Sequence, residues 1–117
     1  MKSLVDLQKE IAEEESKYLK NWRRYVDIIK KRAMEHIGHA KVVVFGSVVT
    51  GEWIAGKSDI DVLIISENCP RDGRSQTNLC KILTEGFNEA PFEIHFIKPE
   101  TYEKWYKKFI GEKYIEV

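Results

Sequence analysis

The chain has 117 residues, 43% of them apolar and 32% charged, a size and composition that predict one soluble domain, too short for two. Its 19 basic and 19 acidic residues cancel, so no whole-molecule field draws it to nucleic acid or to an acidic membrane. Nucleic-acid binding is not expected, and any hold on phosphate has to be local. No stretch approaches the roughly 20 apolar residues of a membrane span, and the first residues lack the apolar run of a signal peptide. Cys69 and Cys80 are too few for a disulfide framework, so the expected setting is the cytoplasm, with both thiols free.

Residues 1–38 read as helix. Leu4, Leu7, Ile11, Tyr18, Trp22, Tyr25, Ile29 and Ala33 recur at spacings of three, four or seven and build an apolar stripe. Ser3 is the expected N-cap and Gly38 the stop. The pattern predicts one long helix, or a helix pair broken near Glu13-Glu14-Glu15-Ser16, with the acids on a solvated face. The stripe is longer than a small core needs. A second copy, giving a homodimer, or a partner protein could cover part of it, while its second half is expected to be core.

The texture then changes. Lys41-Val42-Val43-Val44-Phe45 is β-branched and bounded by glycines, hence a buried strand. Gly46-Ser47 follows, with Ser47 placed to cap a short helix over 48–53. Residues 58–65 form a second strand with acids at its start, and Pro70-Arg71-Asp72-Gly73 is a turn. Leu79, Ile82, Leu83 and Phe87 predict a helix over 75–87. Pro91 admits a third strand, 92–97, and Pro99 opens a last helix over 99–111, whose Trp105-Tyr106 pair is expected in the core in preference to a base-stacking platform. This order predicts an α/β (α+β) fold with a small mixed sheet of three to four strands flanked by helices.

The chemistry concentrates in 40–97. Asp59 and Asp61 are two apart in a strand, so they project to one face, where like charges and desolvation both count against them. A divalent cation resolves that conflict, and Mg²⁺ favours one or two carboxylates together with water and phosphate oxygens. Glu93 again interrupts an apolar run. If its strand lies beside the second, three carboxylates meet, enough to hold two metal ions about 3.5–4 Å apart for an in-line phosphoryl displacement. His95 shares the face of Glu93 and is expected to be a hydrogen-bonded structural histidine. Glycine at 46 lets the backbone turn sharply and approach a phosphate closely, and Ser47 adds a hydroxyl and an N–H at a helix start.

The pattern Val44-Phe45-Gly46-Ser47 followed by Ser58-Asp59-Ile60-Asp61-Val62, with Glu93 on a later strand, resembles the signature of the DNA-polymerase-beta-like nucleotidyltransferase superfamily. By size it is similar to the minimal nucleotidyltransferases paired with helical HEPN proteins in toxin–antitoxin systems. The resemblance implies ATP as substrate, two Mg²⁺ ions held by Asp59, Asp61 and Glu93, phosphate binding at Gly46 and Ser47, and transfer of AMP to a tyrosine of a HEPN-type partner. The chain departs from that pattern at Thr50, where many relatives carry arginine. Lys57, Arg71 or Arg74 could supply the missing charge. Two alternatives stay open beside this one: an antitoxin that binds nucleotide or partner without chemistry, and a small-molecule nucleotidyltransferase of the aminoglycoside-modifying kind.

Overall fold

A computed structural model describes residues 1–117. The N-terminal segment is a helix pair, α1 (Leu4–Lys20) and α2 (Trp22–Ile37). Ser3 caps α1 as expected: its hydroxyl accepts the Asp6 N–H at 3.1 Å, and the Asp6 carboxylate accepts the Ser3 N–H at 3.3 Å. The break lies at Asn21 and not in the acidic run, which is regular helix. Asn21 adopts φ −112°, ψ 25°, and its side-chain amide donates to the Lys17 carbonyl at 2.8 Å. A side chain that satisfies a terminal carbonyl of its own helix ends that helix.

The remaining elements are β1 (Lys41–Phe45), α3 (Ser47–Thr50), β2 (Ile60–Ile65), α4 (Gly73–Leu83) and β3 (Phe92–Ile97). A composite C-terminal helix follows, made of α5 (Pro99–Thr101), a π-helical stretch (Tyr102–Tyr106) and α6 (Lys107–Ile110), and then β4 (Tyr114–Glu116). The strands form one mixed sheet in the order β3-β2-β1-β4. β1 is antiparallel to β2 and β4, whereas β2 and β3 are parallel and joined through α4. The sequence reading stopped at Gly111 and did not place β4 as a particular segment. Three residues carry too little periodicity to announce a strand.

Two apolar layers sandwich the sheet. On one side α2, α4 and the end of α1 bury Leu19, Val26, Ile29, Ala33, Leu79 and Leu83 against Val42, Val44, Ile60, Val62 and Ile64. At the edge, Tyr18, Tyr25, Phe87 and Phe92 stack edge-on, with neighbouring ring centres 5.0–6.4 Å apart, a favoured aromatic geometry. Arg32 ties α2 to the end of α4 by donating to the carbonyls of Leu83 and Glu85 at 3.1 and 2.8 Å.

On the other side the C-terminal helix lays Tyr102, Tyr106 and Ile110 over Val43, Leu63, Ile65 and Ile97. β2 is therefore covered on both faces, which explains its near-continuous apolar run. One expectation fails here: Trp105 is 71% exposed, not core. Leu4, Leu7 and Ile11 at the start of α1 stand in solvent, whereas the second half of the stripe packs as expected. Cys69 and Cys80 are both free thiols. No helix is long and apolar enough to cross a membrane.

Candidate active site on the open end of the sheet

Parallel pairing sets Asp61 directly opposite Glu93, and Leu63 opposite His95. Strand alternation places Asp61, Glu93 and His95 on the face that carries Leu63, Ile65 and Ile97, beyond the part roofed by the C-terminal helix. One carboxylate oxygen each from Asp61 and Glu93 and one ring nitrogen of His95 lie within 4.8 Å of one another. His95 Nε2 is 3.4 Å from Glu93 Oε1. β2 and β3 are joined at this end by the Ile60 N–H, which donates to the Pro91 carbonyl at 2.7 Å.

The electrostatics of Asp61 record the crowding. Burial, then the charges of Glu93 and Asp59, push its carboxyl from 3.8 up to about 6, with His95 opposing the rise and a hydrogen bond to Glu93 adding to it. A carboxylate that resists ionisation because it is partly buried and faces a second one is the situation a divalent cation relieves. Two carboxylates and an imidazole in reach of one point are also a chemically suitable donor set. The residues present therefore fit a metal ion.

Gly46 closes the site from β1. Its φ of +88° and ψ of −162° belong to a region that only glycine occupies readily. A Cβ there would also lie 2.6 Å from Asp61 Oδ2, so glycine is required both by the turn and by the space Asp61 occupies. Ser47 is the first residue of α3 and not its cap. Gly46 takes the cap position without a side-chain bond, and α3 ends at Thr50 rather than at 53.

Asp59 lies just ahead of β2, which begins at Ile60 and not at 58. It is exposed and stands outside the three-residue cluster, yet its charge reaches Asp61. The loop before it is tightly built: Ser58 N–H donates to the Ile54 carbonyl at 2.9 Å, while Ser58 Oγ accepts the Ile54 N–H at 2.8 Å. Glu15 of α1 accepts the Gly56 N–H at 3.0 Å, so the N-terminal helix buttresses the loop that leads to Asp59.

The candidate cations divide. Lys57 is exposed on that same loop, two residues before Asp59. Arg71 lies beside Phe96, Ile97 and Lys98, past the C-terminal ends of β2 and β3, and Arg74 is in the first turn of α4. At about 3.3 Å per residue, the length of β2 separates both arginines from Asp61, so neither replaces the missing charge at this end. Thr50 does not point a polar group to the site; its hydroxyl donates to the Ser47 carbonyl at 3.2 Å. His95 is the member that sequence reading assigned to structure. Its i,i+2 spacing from Glu93 was the available signal.

A family model described as a nucleotidyltransferase domain matches residues 22–117. The chain belongs to the nucleotidyltransferase-domain family. A solved crystal structure whose own nucleotidyltransferase assignment is provisional resembles it with 28% identity and a TM-score of 0.54, covering 83% of this chain and 97% of that one. Comparison with curated proteins found no match. Membership carries nucleotidyl transfer, a nucleotide substrate and metal dependence in general, and the acidic cluster supplies a place for the metal. The family match of this nucleotidyltransferase begins at Trp22, so α1 precedes the matched span.

Proposed function

We propose that this nucleotidyltransferase moves AMP from ATP onto a tyrosine hydroxyl of a small helical HEPN-type protein, and thereby acts as the antitoxin of that pair. The observation that carries the transfer chemistry is the direct pairing of Asp61 with Glu93 against the Gly46 turn. The choice of a protein acceptor is supported by the size of the chain, 117 residues, which resembles that of the minimal nucleotidyltransferases.

Asp61 and Glu93, with Asp59 beside them, would hold Mg²⁺, two ions in the full complement. When bound, the metal neutralises triphosphate charge and favours ionisation of the acceptor hydroxyl. The N–H groups of the Gly46–Ser47 turn and the Ser47 hydroxyl hold the β- and γ-phosphate oxygens, and Lys57 adds positive charge from its loop. The tyrosine oxygen attacks the α-phosphorus in line. A new P–O bond forms as the bond to the bridging oxygen breaks, and pyrophosphate leaves with that electron pair. The hydroxyl proton passes to Glu93, which His95 holds in place from 3.4 Å. Positioning and charge compensation provide most of the acceleration.

The test is co-expression with a small helical HEPN-type protein, followed by mass spectrometry of that protein. An AMP adduct on tyrosine that disappears with Asp61→Asn is the expected result. An unmodified partner alongside folded, metal-loaded nucleotidyltransferase would sink the proposal.

A further inference from the structure

The C-terminal helix has three distinguishable sides. Tyr102, Tyr106 and Ile110 point into the sheet. Glu103 looks toward β1, because it lines a hollow together with Lys41 and Tyr102 and the Lys41 ammonium sits 5.6 Å from the Tyr102 ring centre. Lys107 follows Glu103 at i,i+4 and faces the same way. Trp105 and Phe109, also i,i+4, therefore occupy the opposite flank, toward β2 and β3. That is the side on which Glu93 and His95 stand open on the same sheet face.

The helix also runs in the direction of the site. It starts at Pro99, past the C-terminal end of β3, and leads through Gly111 into β4, whose Tyr114 pairs with Phe45, the strand partner of Asp61. At about 1.5 Å per residue its length matches that of the strands beneath it, so Phe109 stands near the catalytic end. On this flank Trp105 is 71% and Phe109 80% exposed. With Tyr106 they line an open hollow of about 330 Å³ that contains no charged side chain.

We infer that Trp105, Tyr106 and Phe109 form the seat of the nucleobase of the substrate nucleotide. This rests on nucleotidyl transfer at Asp61 and Glu93, and it assigns the part of the substrate that those acids do not hold. The phosphates need carboxylate-bound metal, turn N–H groups and Lys57, all at the Gly46 end. The base needs a planar apolar surface, and the flanking aromatic rings supply it on the same face. Stacking on aromatic side chains tolerates any base, so the seat contributes affinity more than discrimination among bases.

The experiment titrates two probes in the presence of Mg²⁺: α,β-methylene ATP, which has a base, and inorganic tripolyphosphate, which has none. Trp105→Ala is expected to weaken the ATP analogue by about tenfold to a hundredfold and Phe109→Ala by less, while Trp105→Phe retains most of the affinity. Tripolyphosphate binds all four proteins equally. Because both side chains are solvent-exposed, the variants keep the wild-type circular dichroism. If the alanine variants bind the ATP analogue as wild type does, the aromatic seat is wrong and nucleotidyl transfer stands; this is also the outcome if the hollow serves a protein surface. Equal weakening of both probes likewise overturns the seat. Failure of wild type to bind either probe overturns the seat and the function on which it rests.

Discussion

The two faces of the sheet are made from the same strands and do opposite things. On the helical face Val42, Val44, Ile60, Val62 and Ile64 are wholly excluded from water. On the other face their neighbours Val43, Leu63 and Ile65 are sealed by the C-terminal helix, but at one end the cover stops and Asp61, Glu93 and His95 emerge. A strand assigns alternate residues to alternate faces. Ile60-Asp61-Val62 can therefore hold a core together and present a partly open carboxylate within three residues, and a one-residue slip would exchange the two roles.

The largest effect should come from the open face. Asp61→Asn preserves shape and removes the charge, so nucleotidyl transfer falls at least about a thousandfold, roughly 4 kcal/mol on the barrier, with an unchanged far-ultraviolet spectrum. On the helical face, Ile64→Ala leaves a cavity in the middle of the packed layer. Chemical denaturation should show a loss of about 2–5 kcal/mol, while transfer per folded molecule stays at the wild-type level. If Ile64→Ala impaired catalysis as strongly as stability, the division between faces would be untenable.

Gly46→Ala tests where the faces meet. The strained backbone costs about 1–3 kcal/mol, and the new Cβ must push Asp61 from a contact of 2.6 Å. Stability and transfer should therefore drop together, unlike either preceding variant. A Gly46→Ala protein with full activity would show that Asp61 works from a different position.

Much of this was legible before any coordinates, and the successes and failures have physical causes. Asp61, Glu93 and Gly46 each break a local rule, a charge in an apolar run or a glycine closing a strand, and broken rules are visible in one dimension. Their assembly depended on β3 lying parallel and in register with β2, which no single strand encodes. Arg71 and Arg74 were candidates because their loop adjoins a strand end; the sequence alone did not show that it was the end away from Asp61. Trp105 was expected in the core because it is large and apolar and sits on a helix rich in aromatic residues. The π-helical stretch keeps Tyr102 and Tyr106 inward and turns Trp105 to the flank. The helix break was misplaced because acidic runs are compatible with an exposed helical face, whereas Asn21 terminates α1 through its side chain.

A smaller effect comes from titrating Asp61. Its folded carboxyl ionises near pH 6, against 3.8 in the unfolded chain, so between those values the folded state binds the proton more tightly. The metal-free protein is then most stabilised by this group below pH 4 and loses that contribution as pH rises through 6. At full weight the difference is about 3 kcal/mol, but solvent screens a half-buried carboxyl and leaves about 1 kcal/mol. Melting curves of wild type and Asp61→Asn, recorded with chelator from pH 4 to 8, should diverge with Asp61→Asn the more stable at the upper end. Added Mg²⁺ should narrow the gap by taking the place of the proton. Parallel curves would mean that neither burial nor the charges of Glu93 and Asp59 oppose ionisation of Asp61.

The smallest effect is expected where the helical face runs out. Tyr18 and Leu19 near the end of α1 are buried, but Leu4 and Leu7 are 71% and 44% exposed. Their side chains remove little apolar surface from water in the monomer, so Leu4→Ser and Leu7→Ser should each change stability by no more than about 0.5 kcal/mol. Leu19→Ala, on the same helix and 1% exposed, should cost about 2–5 kcal/mol. The contrast puts the boundary of the core inside α1 and not at its first residue. The nearer half, through Ala12 and Glu15 against Gly56, supports the Asp59 loop. A destabilisation by Leu4→Ser that grew with protein concentration would instead reveal that the exposed half is covered in an assembly, extending the packed side of the comparison beyond one chain.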